Sequence, residues 1–266
     1  MSHVLQRCNT TTLTRCAASC QSFQYLVAAE LRRRYFTTLR WFFSNRAEDF
    51  DHLLTTHRGI ISGSTALAFL AWTDSWDPGD MDIYVPEGSY TEFVAALELS
   101  QLASLDHAFH LQPRSAYTGI KCVRRYVAPT GKHLDVIQSS TANAMNPLLY
   151  FWTSVVCNIL SPHGAICGFP SYTLNDRALV EDIPSSDKLT LARGKYEARG
   201  YEFTRVDSWG PSSDVDSNGN PVFSDHPIMV LDFRTVYRTG PLALPVTRTG
   251  HLWVLQQDAC NATSPM

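Results

Sequence analysis

The sequence predicts an α+β fold, a mixed sheet flanked by helices, with a helical and β-rich C-terminal portion. Three observations carry that expectation. Segments with helical apolar spacing alternate with short apolar runs up to about residue 140. Those runs are bounded by Gly and Pro, as strands are. The 266 residues are 44% hydrophobic and 11% aromatic, which is ample for a large core. The expected organisation is a disordered tail over 1–20, a core with an N-terminal helix over 21–140, and a C-terminal portion over 141–266 packed on that core.

In chain order, the polar, Ser/Thr-rich first twenty residues read as a tail. Residues 21–43 read as a long helix, with Tyr25, Leu26, Ala29, Phe36, Leu39 and Phe43 on its apolar face. Its other face carries Arg32, Arg33, Arg34 and Arg40, either a solvated face or an RNA-binding one. A short helix over 47–55, a strand over 58–62 and a helix over 65–72 follow. A second strand spans 81–85 and is stopped by Pro86; a capped helix covers 89–100. Residues 120–127 and 133–138 form a hairpin turned at Pro129-Thr130-Gly131. Residues 146–160 read as an apolar helix with Asn146 as cap and Pro147 at its first position. A helix over 187–199 and strands over 201–207, 228–237 and 251–256 complete the expected set.

Composition excludes several classes. Apolar and aromatic content excludes disorder over most of the chain. A net charge of −3 argues against a dedicated duplex-DNA binder. No apolar run is long enough to span a bilayer. Seven cysteines, none in Cys-x-x-Cys spacing and without a secretory signal, read as reduced thiols of a cytoplasmic or nuclear protein. Arg7 and Arg15 in an acid-free start are also compatible with a mitochondrial transit peptide.

The chemistry rests on three short motifs. Gly63-Ser64 falls where a strand gives way to a helix, whose N-terminus offers unpaired N–H groups and the positive end of its dipole to a phosphate. Gly-Ser also makes an ordinary turn and cap. Asp80-Met81-Asp82 opens a strand, and residues two apart project from the same face. Two adjacent carboxylates raise each other's pKa unless a cation neutralises them, and magnesium prefers such oxygen ligands. The plainer reading is a solvated pair after Pro78-Gly79. Asp135 stands in the apolar run Leu134-Asp135-Val136-Ile137, where a buried carboxylate needs a partner or a metal, unless the strand is an edge with Asp135 facing solvent.

Taken in order, Ile60-Ile61-Ser62-Gly63-Ser64, Asp80-Met81-Asp82-Ile83-Tyr84-Val85 and Leu134-Asp135-Val136-Ile137 resemble the nucleotidyltransferase superfamily typified by DNA polymerase β. The helical region 146–160 and the segment Lys195-Tyr196-Glu197-Ala198-Arg199-Gly200-Tyr201 are similar to little-described fungal members of that group. The resemblance implies a nucleotidyltransferase-like mixed sheet holding two magnesium ions and the triphosphate of an NTP. It implies Asp80 and Asp82 as ligands of both metals, with Asp135 a further acid that helps activate an acceptor hydroxyl. The gap between Ser64 and Asp80, with Trp72, Trp76 and Pro78, is slightly longer than usual for the group.

A triphosphate needs further cations. Lys195 and Arg199 share a face of the 187–199 helix, as surface residues or as NTP ligands, and Lys132 is close in sequence to Asp135. Asp214-Val215-Asp216-Ser217-Asn218-Gly219 with Asp225 imitates a calcium loop but lies in a polar stretch with Pro221 inside it, and reads as an Asn-Gly turn between strands. The expected activity is magnesium-dependent transfer of a nucleoside monophosphate from an NTP to a hydroxyl of RNA, a protein or a small molecule, without membrane or duplex-DNA partners. The alternative is a non-catalytic protein of the same fold that binds nucleotide or a partner.

Overall fold

The computed structural model describes residues 2–72, 75–107, 118–181, 187–206, 211–215, 221–223, 228–233, 246–249 and 252–255. The chain opens with helices α1 (Ser2–Gln6), α2 (Thr10–Ser19), α3 (Gln21–Phe43) and α4 (Ala47–His57). Strand β1 (Ile60–Ser62) runs directly into α5 (Gly63–Ala71), followed by β2 (Asp80–Val85), α6 (Tyr90–Leu99) and β3 (Ser104–Leu105). The hairpin β4 (Ile120–Val127) and β5 (His133–Ser139) precedes two 3₁₀ turns, Asn146–Tyr150 and Ser154–Val156. Then come β6 (Asn158–Ser161), β7 (Gly164–Cys167), α7 (Pro170–Thr173), β8 (Arg177–Glu181), α8 (Asp187–Glu197) and β9 (Glu202–Val206). Strands β10 (Pro211–Val215), β11 (Pro221–Phe223), β12 (Met229–Asp232), β13 (Val246–Thr249) and β14 (Leu252–Leu255) follow.

Eight strands make one mixed sheet in the order β12-β7-β6-β1-β2-β5-β4-β3. Only β2 and β5 pair in parallel within it; the other neighbours are antiparallel. Side-chain alternation sorts its two faces. Ile61, Met81, Ile83, Leu134 and Val136 join Leu31, Phe42, Phe50 and Phe93 of α3, α4 and α6 in the main core. Ile60, Tyr84, Ile137 and Ile159 line the opposite face with Met145 and Leu148. The expected α+β class is what the chain adopts. The sheet runs across residue 140, because β6 pairs with β1, so the two expected portions share one sheet. Among the described residues no helix is long and apolar enough to cross a membrane.

The expected tail is instead two helices. Asn9 caps α2 by accepting from the Thr12 N–H at 2.8 Å, and Leu5 and Leu13 are buried. Polar composition misled here because the few apolar residues at the start are spaced to meet α3. The buried face of α3 is also not the expected one. Val27, Leu31, Tyr35, Thr38 and Phe42 face inward with Leu39 and Phe43, while Tyr25 and Leu26 are exposed. The basic face is largely engaged with the chain itself. Arg34 is fully buried, donating to the carbonyls of Leu5 at 3.0 Å and Cys8 at 2.7 Å and to Glu30 at 2.9 Å. Arg33 pairs with Glu30, and Arg40 with Glu48.

The expected helix over 146–160 is corrected to one 3₁₀ turn, a second short turn and β6. The start at Asn146-Pro147 makes one turn, but Met145 is its cap, and the Asn146 side chain donates to Ser140 instead of capping. Phe151 then turns extended, and Asn158–Ser161 pairs with Gly164–Cys167 across Pro162-His163. A fully buried strand is apolar throughout, so periodicity does not separate it from a buried helix. Ser62 fixes this strand to the site, its buried hydroxyl shared between the carbonyls of Asn158 at 2.6 Å and Val156 at 3.2 Å. Ser62→Ala is therefore expected to cost about 1–3 kcal/mol, read as a lower urea midpoint with an unchanged slope. Within the expected strand 228–237, Met229–Asp232 is strand, and 234–237 lies outside the described residues. The calcium-like run is split: Asp214 and Val215 end β10, while Asp216–Gly219 and Asp225 lie outside the described residues.

Candidate functional site

The helix α5 begins at the first residue after β1, and its first turn sits against the start of β2. Ser64 Oγ donates to Asp80 Oδ1 at 3.1 Å, and Thr65 Oγ1 donates to the Asp80 carbonyl at 2.8 Å. Gly63 has φ +62°, and a Cβ built there would stand 2.2 Å from Asp82 Oδ2. Only glycine admits both that backbone conformation and that approach. Asp80 and Asp82 project from one face of β2, and Asp82 is directly paired in register with Asp135 on β5. By the same alternation, all three acids lie on the face of Tyr84 and Ile137, away from the main helix layer. The three aspartates, Gly63 and Ser64 thus come together from separate stretches of sequence.

The electrostatics follow from that crowding. Burial, then the charges of Asp80 and Asp135, push the Asp82 carboxyl from 3.8 up to about 7, against the pull of Lys195 and Arg125. Arg125 on β4 stands opposite Asp135 across the hairpin and grips it with two hydrogen bonds of 2.7 Å, from Nε to Oδ1 and from a terminal nitrogen to Oδ2. Lys195 Nζ lies 3.8 Å from Asp80 Oδ1, and both side chains are 42% exposed, so solvent weakens this pair. Arg199 stacks over the Trp76 ring at 3.9 Å from its centroid. Burial draws its pKa down, while Tyr196 and Asp80 oppose that shift. The buried Tyr196, against Trp152 and Tyr201, anchors α8 so that Lys195 reaches Asp80. Lys132 does not join the site: it donates to the Pro78 carbonyl at 2.8 Å and covers Phe42.

The donor set bears on magnesium. Asp80 and Asp82 supply hard oxygen atoms, Asp82 packed against a glycine whose missing side chain permits that approach, and their mutual repulsion is what a divalent cation relieves. Among the described residues, however, no three His, Cys, Asp or Glu side chains form a group arranged to hold a metal ion. Asp135 has both oxygens engaged by Arg125. Asp80 and Asp82 thus fit a hard cation, and Asp135 fits once Arg125 shares it. Sequence reasoning missed Arg125, Thr65 and the stacking of Arg199 on Trp76. Comparisons with protein-family models, curated proteins and solved structures find no match to this chain.

Proposed function

We propose that the protein is a magnesium-dependent nucleotidyltransferase, moving a nucleoside monophosphate from an NTP to a hydroxyl acceptor. The observation that carries this reading is the register of Asp82 with Asp135 on parallel neighbours, beside a Gly63 that leaves no space for a side chain against Asp82. The three crowded carboxylates repel one another, so that after burial the charges of Asp80 and Asp135 raise the Asp82 pKa further, and a bound cation relieves that repulsion. Asp80 and Asp82 would hold the magnesium ions, and Asp135 would join them. When bound, magnesium supplies charge neutralisation to the transferring phosphate and the departing pyrophosphate. The chain itself supplies position and charge. The α5 N-terminus with Gly63 and Ser64 orients the triphosphate, Lys195 beside Asp80 balances its charge, and Arg199 is a further contact to the nucleotide. Asp135, positioned by Arg125, accepts the proton of the acceptor hydroxyl as it attacks the α-phosphorus in line. The acceptor is RNA, a protein side chain or a small molecule, in the cytoplasm or nucleus.

The Arg125–Asp135 grip favours a second reading, a protein of the same fold that binds nucleotide or a partner without transfer. One assay separates them: each NTP labelled at its α-phosphate, with magnesium and candidate acceptors, is offered to the parent protein and to Asp82→Asn. Label transfer that Asp82→Asn removes supports the enzyme. Metal-dependent nucleotide binding with no transfer supports the binder, and transfer that survives the substitution sinks the assigned site.

A further inference from the structure

A cavity of about 310 Å³ lies between the start of α2, the C-terminal end of α5 and the leading ends of β8 and β9. Thr11, Trp76, Asp176, Arg199 and Tyr201 contribute to its walls. It shares Arg199 with the carboxylate site. Trp76 is only four residues before Asp80, and Lys195, near the end of α8 and four residues before Arg199, approaches Asp80 at 3.8 Å. Asp176 and Tyr201 come together because β8 and β9 pair in parallel, the Glu202 N–H donating to the Asp176 carbonyl at 2.8 Å.

We propose that this cavity receives the base of the donor nucleotide and selects guanine. The inference rests on the nucleotidyl-transfer reading and names its substrate. The guanidinium stacked on Trp76 and the neighbouring Tyr201 give flat surfaces that suit a planar heterocycle, since bases stack on aromatic rings and on arginine planes. The volume lies at the small end of ligand pockets, sized for a base and not for a whole NTP. Arg199 Nη1 is buried without a hydrogen-bond partner, and a buried donor of that kind calls for an acceptor. Asp176 is exposed toward solvent and offers two acceptor oxygens in the same wall. Guanine alone among the four bases sets a carbonyl beside two adjacent N–H donor groups, one for the arginine and two for the carboxylate. Adenine and cytosine present one donor group beside acceptors, and uracil a single N–H between two carbonyls.

Magnesium-dependent binding of non-hydrolysable GTP, UTP, ATP and CTP analogues tests this on the parent protein, Asp176→Asn and Asp82→Asn. Asparagine is the substitution of choice because Asp176 has φ +54°, a conformation it tolerates, and thermal midpoints check that the variant is folded. GTP is expected to bind about tenfold tighter than ATP or CTP, as one good bidentate contact allows. Asp176→Asn is expected to remove that ratio while leaving ATP affinity within about twofold. Asp82→Asn is expected to weaken all four alike and keep the ratio. Equal affinity for the four nucleotides, or a GTP preference that Asp176→Asn leaves intact, overturns the base pocket while the nucleotide site stands. Absence of magnesium-dependent binding to any of the four overturns both.

Discussion

Asp82→Asn is expected to lower nucleotidyl transfer by about a thousandfold or more, since a metal-held charge supplies several kcal/mol in the transition state. The same substitution is expected to stabilise the metal-free protein. Asp82 is crowded by Asp80 and Asp135, and its carboxyl titrates near 7 in the fold against 3.8 when unhindered. Below about pH 4 the acid is protonated in both folded and unfolded chains and has no effect on stability. Between pH 4 and 7 the unfolded chain releases the proton while the folded one retains it, so the fold loses stability; above pH 7 the loss is complete. The thermal midpoint of Asp82→Asn should therefore match that of the parent near pH 4, exceed it increasingly up to pH 7, and keep that lead at pH 8. Magnesium, binding only the folded and ionised site, should raise the parent's midpoint at pH 8 and leave the variant's unmoved. A variant that loses activity together with stability at pH 8 would mean that Asp82 is a structural residue, not a cation ligand.

The site was more legible than much of the fold around it, and particular residues show why. Strand alternation placed Asp80 and Asp82 on one strand face by short-range geometry, whereas bringing Asp135 beside them takes the long-range pairing of β2 with β5, which only the family resemblance implied. Arg125 was legible by short-range geometry. A turn centred on Thr130 sets residues five before and five after it opposite each other, which are Arg125 and Asp135. Residues far apart in sequence defeated the reading. Arg34 looks like a solvated base on a helix, but its partners are carbonyls of Leu5 and Cys8, which composition assigned to a tail. The exposed start of α3 follows from the same cause: with α1 and α2 folded onto the core, the inward face of α3 runs through Val27 and Leu31 instead of Leu26. In 146–160, a turn start at Asn146-Pro147 was extended over residues whose burial on all sides hid that they form a strand. The helix expected to carry both Lys195 and Arg199 ends at Glu197, so Lys195 on α8 meets Asp80 while Arg199, in the turn that follows, stacks on Trp76, a distinction that spacing does not carry.

Gly63→Ala is expected to lower transfer about a hundredfold and to cost roughly 1–2 kcal/mol of stability from backbone conformation alone. The residue has φ +62°, and the new methyl would sit 2.2 Å from Asp82 Oδ2, a distance that atoms do not keep. Asp82 is held in its strand between β1 and β5, so the relief must come from rotating its carboxylate or from moving the first turn of α5. Either shift separates Asp82 from the Ser64–Asp80 contact that aligns the helix with the acids. An ångström of misplacement at a reacting centre costs about two orders of magnitude in rate. Gly194→Ala gives the matching control. Gly194 lies inside α8 with nothing within 4 Å of an added Cβ, so alanine should stabilise the helix by about 0.5–1 kcal/mol and leave transfer unchanged. The two glycines separate the effect of a methyl group in general from the effect of a methyl group against Asp82. If Gly63→Ala keeps a rate within a few-fold of the parent while Asp82→Asn does not, the close approach of α5 to β2 is a packing feature and the phosphate must bind elsewhere along the acids.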